Sequence, residues 1–331
     1  MTGRQAQMPS APAEPDKPSR KSLKSLIEPR DITLVGELLM LAFMSWLLPQ
    51  RSWNPLSNGL ALVRQLFRRD LAPRVNHVNA LLQGRDLSRS LGHVLSSHDA
   101  NNYLERLQLL RIHRPGGWNP RIHLEGGNNI ETGLQAKYGV ILWVSALSFH
   151  RQGTKMALYE AGYQVSHLSR YSHGFQSSSR FAEQFLNPIR TTAECRYLRE
   201  RIVIGRSGSK GVLDLLAKRL KRNEIVSITV GDEAHRVSTV PFLNGVLRLA
   251  SGPIYLSYIT KAPLLPVFTI RESGGGFITR VEPPLSIDRK ANADQAIHHA
   301  MTDYVTLLEA YALRYPDQFR WHKVQLSDPQ F

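Results

Sequence analysis

The sequence is poor in cysteine, which limits both where the protein can reside and what it can bind. Its one cysteine, Cys195, has no partner for an intramolecular disulfide, and a zinc site that needs two cysteines is excluded. Nothing in the cysteine content therefore requires an oxidising compartment. A lone cysteine usually serves as a small hydrophobic side chain, so we expect Cys195 to be buried.

Acidic residues are scarce as well. Asp and Glu number 27 against 42 Lys and Arg, which gives a formal net charge of +15. Such an excess predicts an anionic partner: nucleic acid, lipid head groups or an acidic carrier protein. The 331 residues, 42% of them hydrophobic, suffice for a sizeable core but are too polar for a polytopic membrane protein.

Long hydrophobic runs are limited to one, Leu34 to Leu48, which Pro49 stops. As a helix it would measure roughly 22 Å, less than the roughly 30 Å hydrocarbon core of a bilayer, and Glu37 would be costly at mid-depth. The run also starts too late and lacks the cleavage site of a signal peptide. Basic residues flank it on both sides: Lys21, Lys24 and Arg30 before it, and Arg51, Arg64, Arg68 and Arg69 after it.

These flanks, with Trp46 and Trp53 at the exit of the run, predict a helix that lies in or dips into an anionic membrane leaflet. We therefore expect the protein at the cytoplasmic face of the inner (plasma) membrane, bound peripherally or by a single N-terminal anchor. The alternative is that the run forms a buried first helix of a soluble domain.

The texture of the sequence changes twice along the chain. Residues 1–30 are rich in Pro, Ser and Lys and predict a disordered basic tail, and residues 31–111 predict the membrane-associated helix and a helical lead-in. Residues 112–325 alternate between strand and helix patterns, which predicts an α/β domain with a mostly parallel central sheet flanked by helices. The predicted strands are 140–144, 164–168, 225–230, 264–270 and 277–281, and the predicted helices are 151–161, 209–221, 248–260 and 292–313.

Motifs for two common functions fail on inspection. Residues 232–235 spell Asp-Glu-Ala-His, as in nucleic-acid helicases, but the required phosphate-binding loop has the wrong spacing at 205–211. No zinc-finger or helix-turn-helix pattern appears, so we expect no nucleic-acid partner. A serine hydrolase's G-x-S-x-G elbow is missing as well.

The second half of the sequence contains several short motifs whose order along the chain is informative. They are Gly231-Asp232-Glu233, Val240-Pro241-Phe242-Leu243-Asn244-Gly245, Ala250-Ser251-Gly252-Pro253, Ala262-Pro263-Leu264-Leu265-Pro266-Val267 and the ending Trp321-His322-Lys323. In this order they resemble the bacterial lipid A lauroyl/myristoyl acyltransferases, within the lysophospholipid acyltransferase superfamily. The resemblance covers about residues 34–325.

The resemblance implies an H-x4-[DE] motif after the first core strand, in which the His takes a proton from an acceptor hydroxyl and the carboxylate orients that His. This sequence departs from that pattern, because Leu147 and Gln152 stand at the two positions. Leucine cannot accept a proton, and glutamine cannot stabilise an imidazolium by charge. His150 lies three positions late, where the same spacing leads to Lys155.

Three interpretations remain open. His150 could act as a displaced base, aided by Asp232 or Glu233 from another loop; the protein could be a catalytically inactive relative that binds a lipid or partner; or related chemistry could use residues that the sequence does not identify. We predict His150 and Asp232 as catalytic residues. The predicted substrate-binding residues are Arg170, Arg206, Lys210, Glu233 and Arg236, near the carboxyl ends of the strands, although a solvated surface role is the alternative for each.

The resemblance implies transfer of a fatty acyl chain from an acyl thioester to a hydroxyl or amine of a lipid or small amphiphile. Acyl carrier protein or coenzyme A would carry the acyl chain as co-substrate, and no metal or other cofactor is expected. The expected partners are membrane lipids and acyl carrier protein.

Overall fold

The first third of the chain is helical, as its apolar spacing predicts. The structure is a computed structural model that describes residues 26–67, 71–85, 90–145, 147, 150–175, 179–205, 211–232, 234, 236–272 and 274–327. Its first four helices are α1 (Pro29–Leu47), α2 (Trp53–Phe67), α3 (Leu71–Leu81) and α4 (Leu91–Ile112). Helix α1 begins two residues before the predicted boundary at 31, because Pro29 suits a first helical turn and Asp31 Oδ2 accepts the backbone N–H of Glu28 at 2.8 Å.

Helix α1 has one buried and one exposed face. Leu34, Leu38, Leu41 and Ser45 share the buried face, which packs toward α4. Glu37 forms an ion pair with Arg106 of α4, so its charge is matched within the protein. Across the described ranges, no helix combines the length and the apolar character needed to cross a bilayer.

The rest of the chain forms an α/β domain on a mostly parallel sheet, as predicted, but the sheet has seven strands, and its two edge strands, 122–125 and 200–204, were not predicted. The strands of this sheet are β1 (Ile122–Glu125), β2 (Val140–Val144), β3 (Val165–Arg170), β4 (Glu200–Ile204), β5 (Ile225–Thr229), β8 (Leu264–Arg271) and β9 (Phe277–Val281). Their order is β1-β9-β8-β2-β5-β3-β4, and all neighbouring pairs are parallel except β8 with β9. Every residue of β2 is buried, as expected of a central parallel strand covered on both faces.

Six further helices belong to this domain. They are α5 (Gly127–Gln135), α6 (His150–Glu160), α7 (Asn187–Cys195), α8 (Val212–Lys221), α9 (Gly252–Thr260) and α10 (Ala293–Arg314), with a π-helical turn at Ala182–Leu186 leading into α7. Helix α10 packs aromatic side chains onto the sheet: Tyr304 lies 4.1 Å from the ring of Trp143, and Tyr311 stacks on Phe268 at 3.8 Å. These contacts hold α10 against the centre of the sheet.

A second, three-stranded antiparallel sheet was not predicted. It consists of β6 (Val237–Phe242), β7 (Gly245–Ala250) and β10 (Val324–Leu326), in the order β10-β7-β6. The predicted helix 248–260 is therefore wrong at its start, because residues 245–250 alternate between the two faces of β7 and the helix begins only at Gly252-Pro253. The motif Val240–Gly245 forms the β6–β7 hairpin, in which Asn244 Nδ2 donates to the carbonyl of Gln83 at 2.9 Å.

The expectation that Cys195 is buried is also wrong. Cys195 is exposed at the last residue of α7, because the buried face of that helix is taken by Asn187, Arg190, Ala193 and Glu194. Two of these four, Arg190 and Glu194, are charged, and their sequence pattern does not predict a buried position.

Candidate active site

The carboxyl ends of three parallel strands share one edge of the main sheet. The chain leaves β2 toward Leu147 and α6, leaves β3 toward His173, and leaves β5 toward Asp232. In open α/β sheets, ligands bind at this edge because the loops that follow the strands gather there. Side chains of these loops are therefore the candidates for a functional site.

The positions where the resemblance implies a His and a carboxylate hold no acid or base. Leu147 is fully buried and belongs to the same hydrophobic core as Trp143. The side chain of Gln152 is buried in α6, with Nε2 donating to the carbonyl of Ala193 at 3.4 Å, while Oε1 has no partner among the described residues. A proton acceptor for an incoming hydroxyl must therefore come from elsewhere.

A buried charged trio lies beside these positions. Lys155 Nζ, one turn further along α6 than Gln152, lies 2.8 Å from Glu194 Oε2 of α7. The ring nitrogen Nε2 of His173 lies 3.0 Å from Glu194 Oε1 and 3.2 Å from Oε2. The carboxylate thus bridges a cation from α6 and an imidazole from the loop after β3.

The three side chains differ in their access to solvent. The side chains of Lys155 and Glu194 are only 6% and 1% exposed, whereas that of His173 is 22% exposed. Burial alone would raise the pKa of the Glu194 carboxyl, but the charges of Lys155 and His173 hold that pKa well below its usual range. Glu194 is therefore an anion, and the imidazole of His173 is the more accessible of its two partners in the trio.

Another histidine, His167, lies next to the trio but is enclosed. His167 of β3 is buried, and its Nδ1 lies 2.8 Å from Ser227 Oγ of β5. Burial, followed by the charge of Lys155, lowers the pKa of His167 well below its ordinary value, so the ring is neutral. It lines a cavity of about 10 Å³ with Lys155 and Ser227, which has room for one water molecule at most and none for a substrate.

Helix α7 is fixed on both sides, which positions Glu194. Arg190, one turn before Glu194, forms a buried ion pair with Glu105 of α4 at 2.8 Å. Its guanidinium also lies 5.1 Å from the centre of the Phe175 ring, in the loop that carries His173. The trio is thereby tied to the helical lead-in as well as to the sheet.

The residues predicted from the sequence are scattered relative to this trio. Arg170 ends β3, three residues before His173, and its carbonyl accepts from Arg201 Nη2 at 2.9 Å. Asp232 forms an ion pair with Lys323 at 3.3 Å, and the exposed Arg236 pairs with Asp294 at 2.6 Å. Asp232 and Arg236 thus have partners near the second sheet, and only Arg170 is next to the trio in sequence.

The remaining predicted site residues are not described in side-chain detail. His150 begins α6, but its side chain lies outside the described residues, as do Arg206, Lys210 and Glu233. Their predicted roles in catalysis and substrate binding stay predictions. Within the described ranges, no group of His, Cys, Asp and Glu side chains has the arrangement of a metal site.

Sequence reasoning missed His173 and Glu194 altogether. In the sequence, Lys155 is only the mismatch at the end of a shifted H-x4-[DE] motif, and its partner Glu194 follows 39 residues later, on α7. No spacing rule links a turn after β3 to a helix preceding β4, because the two meet only through the three-dimensional fold. The one available signal was a glutamate within the polar helix 187–195.

Comparison with known proteins gives a family for the second part of the chain. Residues 183–326, which run from the π-helical turn before α7 through β10, match the family model described as bacterial lipid A biosynthesis acyltransferase. A search of curated proteins found no match. The first part, including β2, β3 and α6, lies outside the match, so the resemblance over 34–182 stays a prediction. The sequence-based recognition is confirmed for this segment: residues 183–326 are similar to the bacterial lipid A biosynthesis acyltransferase family.

Proposed function

We propose that the protein transfers a fatty acyl chain from an acyl thioester to a hydroxyl or amine of a lipid or small amphiphile. The observation that carries the proposal is the family match over residues 183–326. That segment supplies β4, β5 and β8 to the sheet, and it supplies Glu194, which contacts His173 in the loop after β3. The acyl donor would be acyl carrier protein or coenzyme A in thioester form, with no other cofactor.

The basic charge of the chain supports this class of substrate. With a net charge of +15, the protein suits both anionic lipid head groups and the acidic surface of a carrier protein. We place its site of action at the cytoplasmic face of the inner membrane, where thioester donors and membrane lipids meet.

A specific observation favours a second candidate, a lipid-binding member of the fold without catalysis. Leu147 is fully buried in the hydrophobic core. Gln152 carries no charge where the family motif requires a carboxylate. A protein that kept the fold while losing its base would look like this at both positions. The two candidate functions differ in whether another imidazole acts as the base that accepts the proton of the acceptor.

Lipid analysis of cells with and without the gene tests the proposed function. Mass spectrometry should find a lipid that is heavier by one acyl group only when the gene is present. Reintroducing the wild-type gene should restore that lipid. An identical lipid profile in both cell types, combined with binding of lipid by the purified protein, would support the non-catalytic candidate instead.

A further inference from the structure

We infer that His173 and Glu194 form the catalytic pair of this protein, with His173 as the general base in place of the missing family histidine. The inference rests on the proposed acyl transfer. It is carried by the geometry at the carboxyl end of β3, where an imidazole meets a buried carboxylate at 3.0 Å. The pair consists of the same two chemical groups as an H-x4-[DE] motif, brought together from a loop and from α7.

The surroundings of the Glu194 carboxylate suit a hydrogen bond with an imidazole. Glu194 is 1% exposed, and its charge is compensated by Lys155, which is itself buried. The ammonium of Lys155 on α6 stabilises the buried Glu194 anion. The contact between Glu194 and His173 is therefore not needed to keep this charge buried. Glu194 is therefore a positioning residue: it accepts a hydrogen bond from Nε2–H of His173 and favours the imidazolium that forms during reaction.

The loop that carries His173 is held rigidly against α7. Phe175 donates its backbone N–H to Asn187 Oδ1 at 3.0 Å, and Asn187 is buried. A Cβ on Gly174 would lie 1.9 Å from the same Oδ1, so the loop approaches α7 as closely as a residue without a side chain allows. Asn187 and Glu194 are seven residues apart and thus share one face of the helix. The histidine is preorganised by two contacts from one helix face.

The position of His173 allows it to reach a substrate. Its side chain keeps 22% of its surface exposed, whereas both of its charged supports are closed off from solvent. Among the described residues, the charged and titratable groups that act on Glu194 are Lys155 of α6, Arg190 of α7 and His173 itself, and Arg201 of β4 acts on the neighbouring His167. Apart from the two imidazoles these groups are cations, so Glu194 supplies negative charge to balance an imidazolium.

The chemical step balances as follows. With Nε2–H donated to Glu194, Nδ1 takes the proton of the acceptor hydroxyl while the hydroxyl oxygen bonds to the thioester carbonyl carbon. The tetrahedral intermediate then collapses, the C–S bond breaks, and the departing sulfur takes the proton back from Nδ1. The products are an ester and a free thiol, and the imidazole returns to its neutral form.

Purified His173 variants test the inference in an assay that follows thiol release and acyl transfer together. His173→Gln keeps a donor for Glu194 but cannot act as a base, so we expect a fall in rate of about 100-fold or more, as for His173→Ala. His113→Gln is the matched control, because His113 also contacts α7, through the carbonyl of Ile189 at 2.8 Å, yet lies outside the pair. It should keep the wild-type rate within about twofold.

A second variant tests the positioning role of Glu194. Lys155→Met combined with Glu194→Gln removes both buried charges together, which protects the fold from an unpaired charge. We expect a lower rate and a shift of the acid limb of the pH–rate profile to lower pH, because the imidazolium loses its anionic neighbour. A change in rate without any change in the pH profile would count against the positioning role.

The outcomes separate the inference from the function on which it rests. An active wild type with His173→Gln at the wild-type rate would overturn the pair and leave acyl transfer standing. A wild type that transfers nothing from acyl carrier or coenzyme A donors would overturn both. Loss of activity in His173→Gln with an unchanged melting temperature and an active His113→Gln would establish His173 as the base.

Discussion

At the scale of single residues, the sequence shows Leu147 and Gln152 where the resemblance implies a His and a carboxylate, but it does not indicate that His173 and Glu194 meet. The first comparison is possible because the implied motif has a fixed spacing along the chain. Glu194 could not be identified in this way, because its partners Lys155 and His173 lie on other elements and only packing brings them within 3 Å. The prediction that Cys195 is buried fails for a related reason. The face of α7 that packs against the core carries charged residues in buried ion pairs, so the hydrophobic pattern does not identify that face.

The buried ion pair of Lys155 and Glu194 yields a prediction on stability. Lys155→Met leaves Glu194 buried without its ammonium partner, and we expect a loss of about 3–5 kcal/mol in the free energy of unfolding. Denaturant unfolding followed by circular dichroism measures it. The double change Lys155→Met with Glu194→Leu should recover most of that loss, since apolar side chains replace both charges, while acyl transfer stays low. A single variant as stable as the wild type would show that the pair contributes no net stability.

At the scale of elements, the central strands and long helices were predictable and the second sheet was not. Strand β2 and helix α10 have unbroken patterns of buried residues, so their bounds were predicted to within one residue. Strands β6 and β7 form a local hairpin, whereas β10 has only three residues and pairs with β7 from almost eighty residues away. The pairing of β10 depends on the path of the chain through α9 and α10, which local periodicity does not encode.

Helices α1 and α2 are the elements for which we propose membrane contact. On α1, Leu39, Phe43 and Leu47 are 67%, 68% and 65% exposed, and on α2, Leu66 and Phe67 are 84% and 83% exposed. Each could contribute roughly 1.5–3 kcal/mol on entering the apolar part of a leaflet. The exposed Arg30, Arg51 and Arg64 lie on or beside these two helices and suit anionic head groups.

Vesicle sedimentation tests that contact. Wild-type protein should sediment with vesicles that contain anionic phospholipid, less with neutral vesicles and less as salt rises. Phe43→Glu combined with Phe67→Glu should shift most of the protein to the supernatant. Ile259→Glu, a matched change at an exposed apolar residue of α9, should sediment like the wild type. Equal sedimentation of all three proteins would refute the assignment of α1 and α2.

At the scale of the whole molecule, two buried histidines make stability depend on pH. Burial lowers the pKa of His98 to about 4 and that of His167 well below its ordinary value. Both rings stay neutral in the folded protein, whereas the unfolded chain protonates them below about pH 6.5. Their contribution to stability is complete above that pH and is lost as the pH falls toward the folded pKa values.

We therefore expect the free energy of unfolding to drop between pH 6.5 and pH 5 by up to about 1.4 kcal/mol per pH unit for each histidine. Urea unfolding at a series of pH values measures this slope. His98→Gln should make it shallower by about one proton, and His298→Gln, at an exposed position, should leave it unchanged. A flat profile in the wild type would mean that the folded protein protonates these histidines.

The central claim concerns the chemistry of the whole protein, and in vitro acyl transfer tests it most directly. Purified protein would be mixed with vesicles of lipid extracted from cells that lack the gene, together with a panel of labelled acyl donors on acyl carrier protein and coenzyme A. We expect label to move into a lipid in step with release of free thiol, and His173→Gln to lower both rates by about 100-fold or more. Label that remains on every donor, with a folded wild-type protein bound to the vesicles, would contradict it.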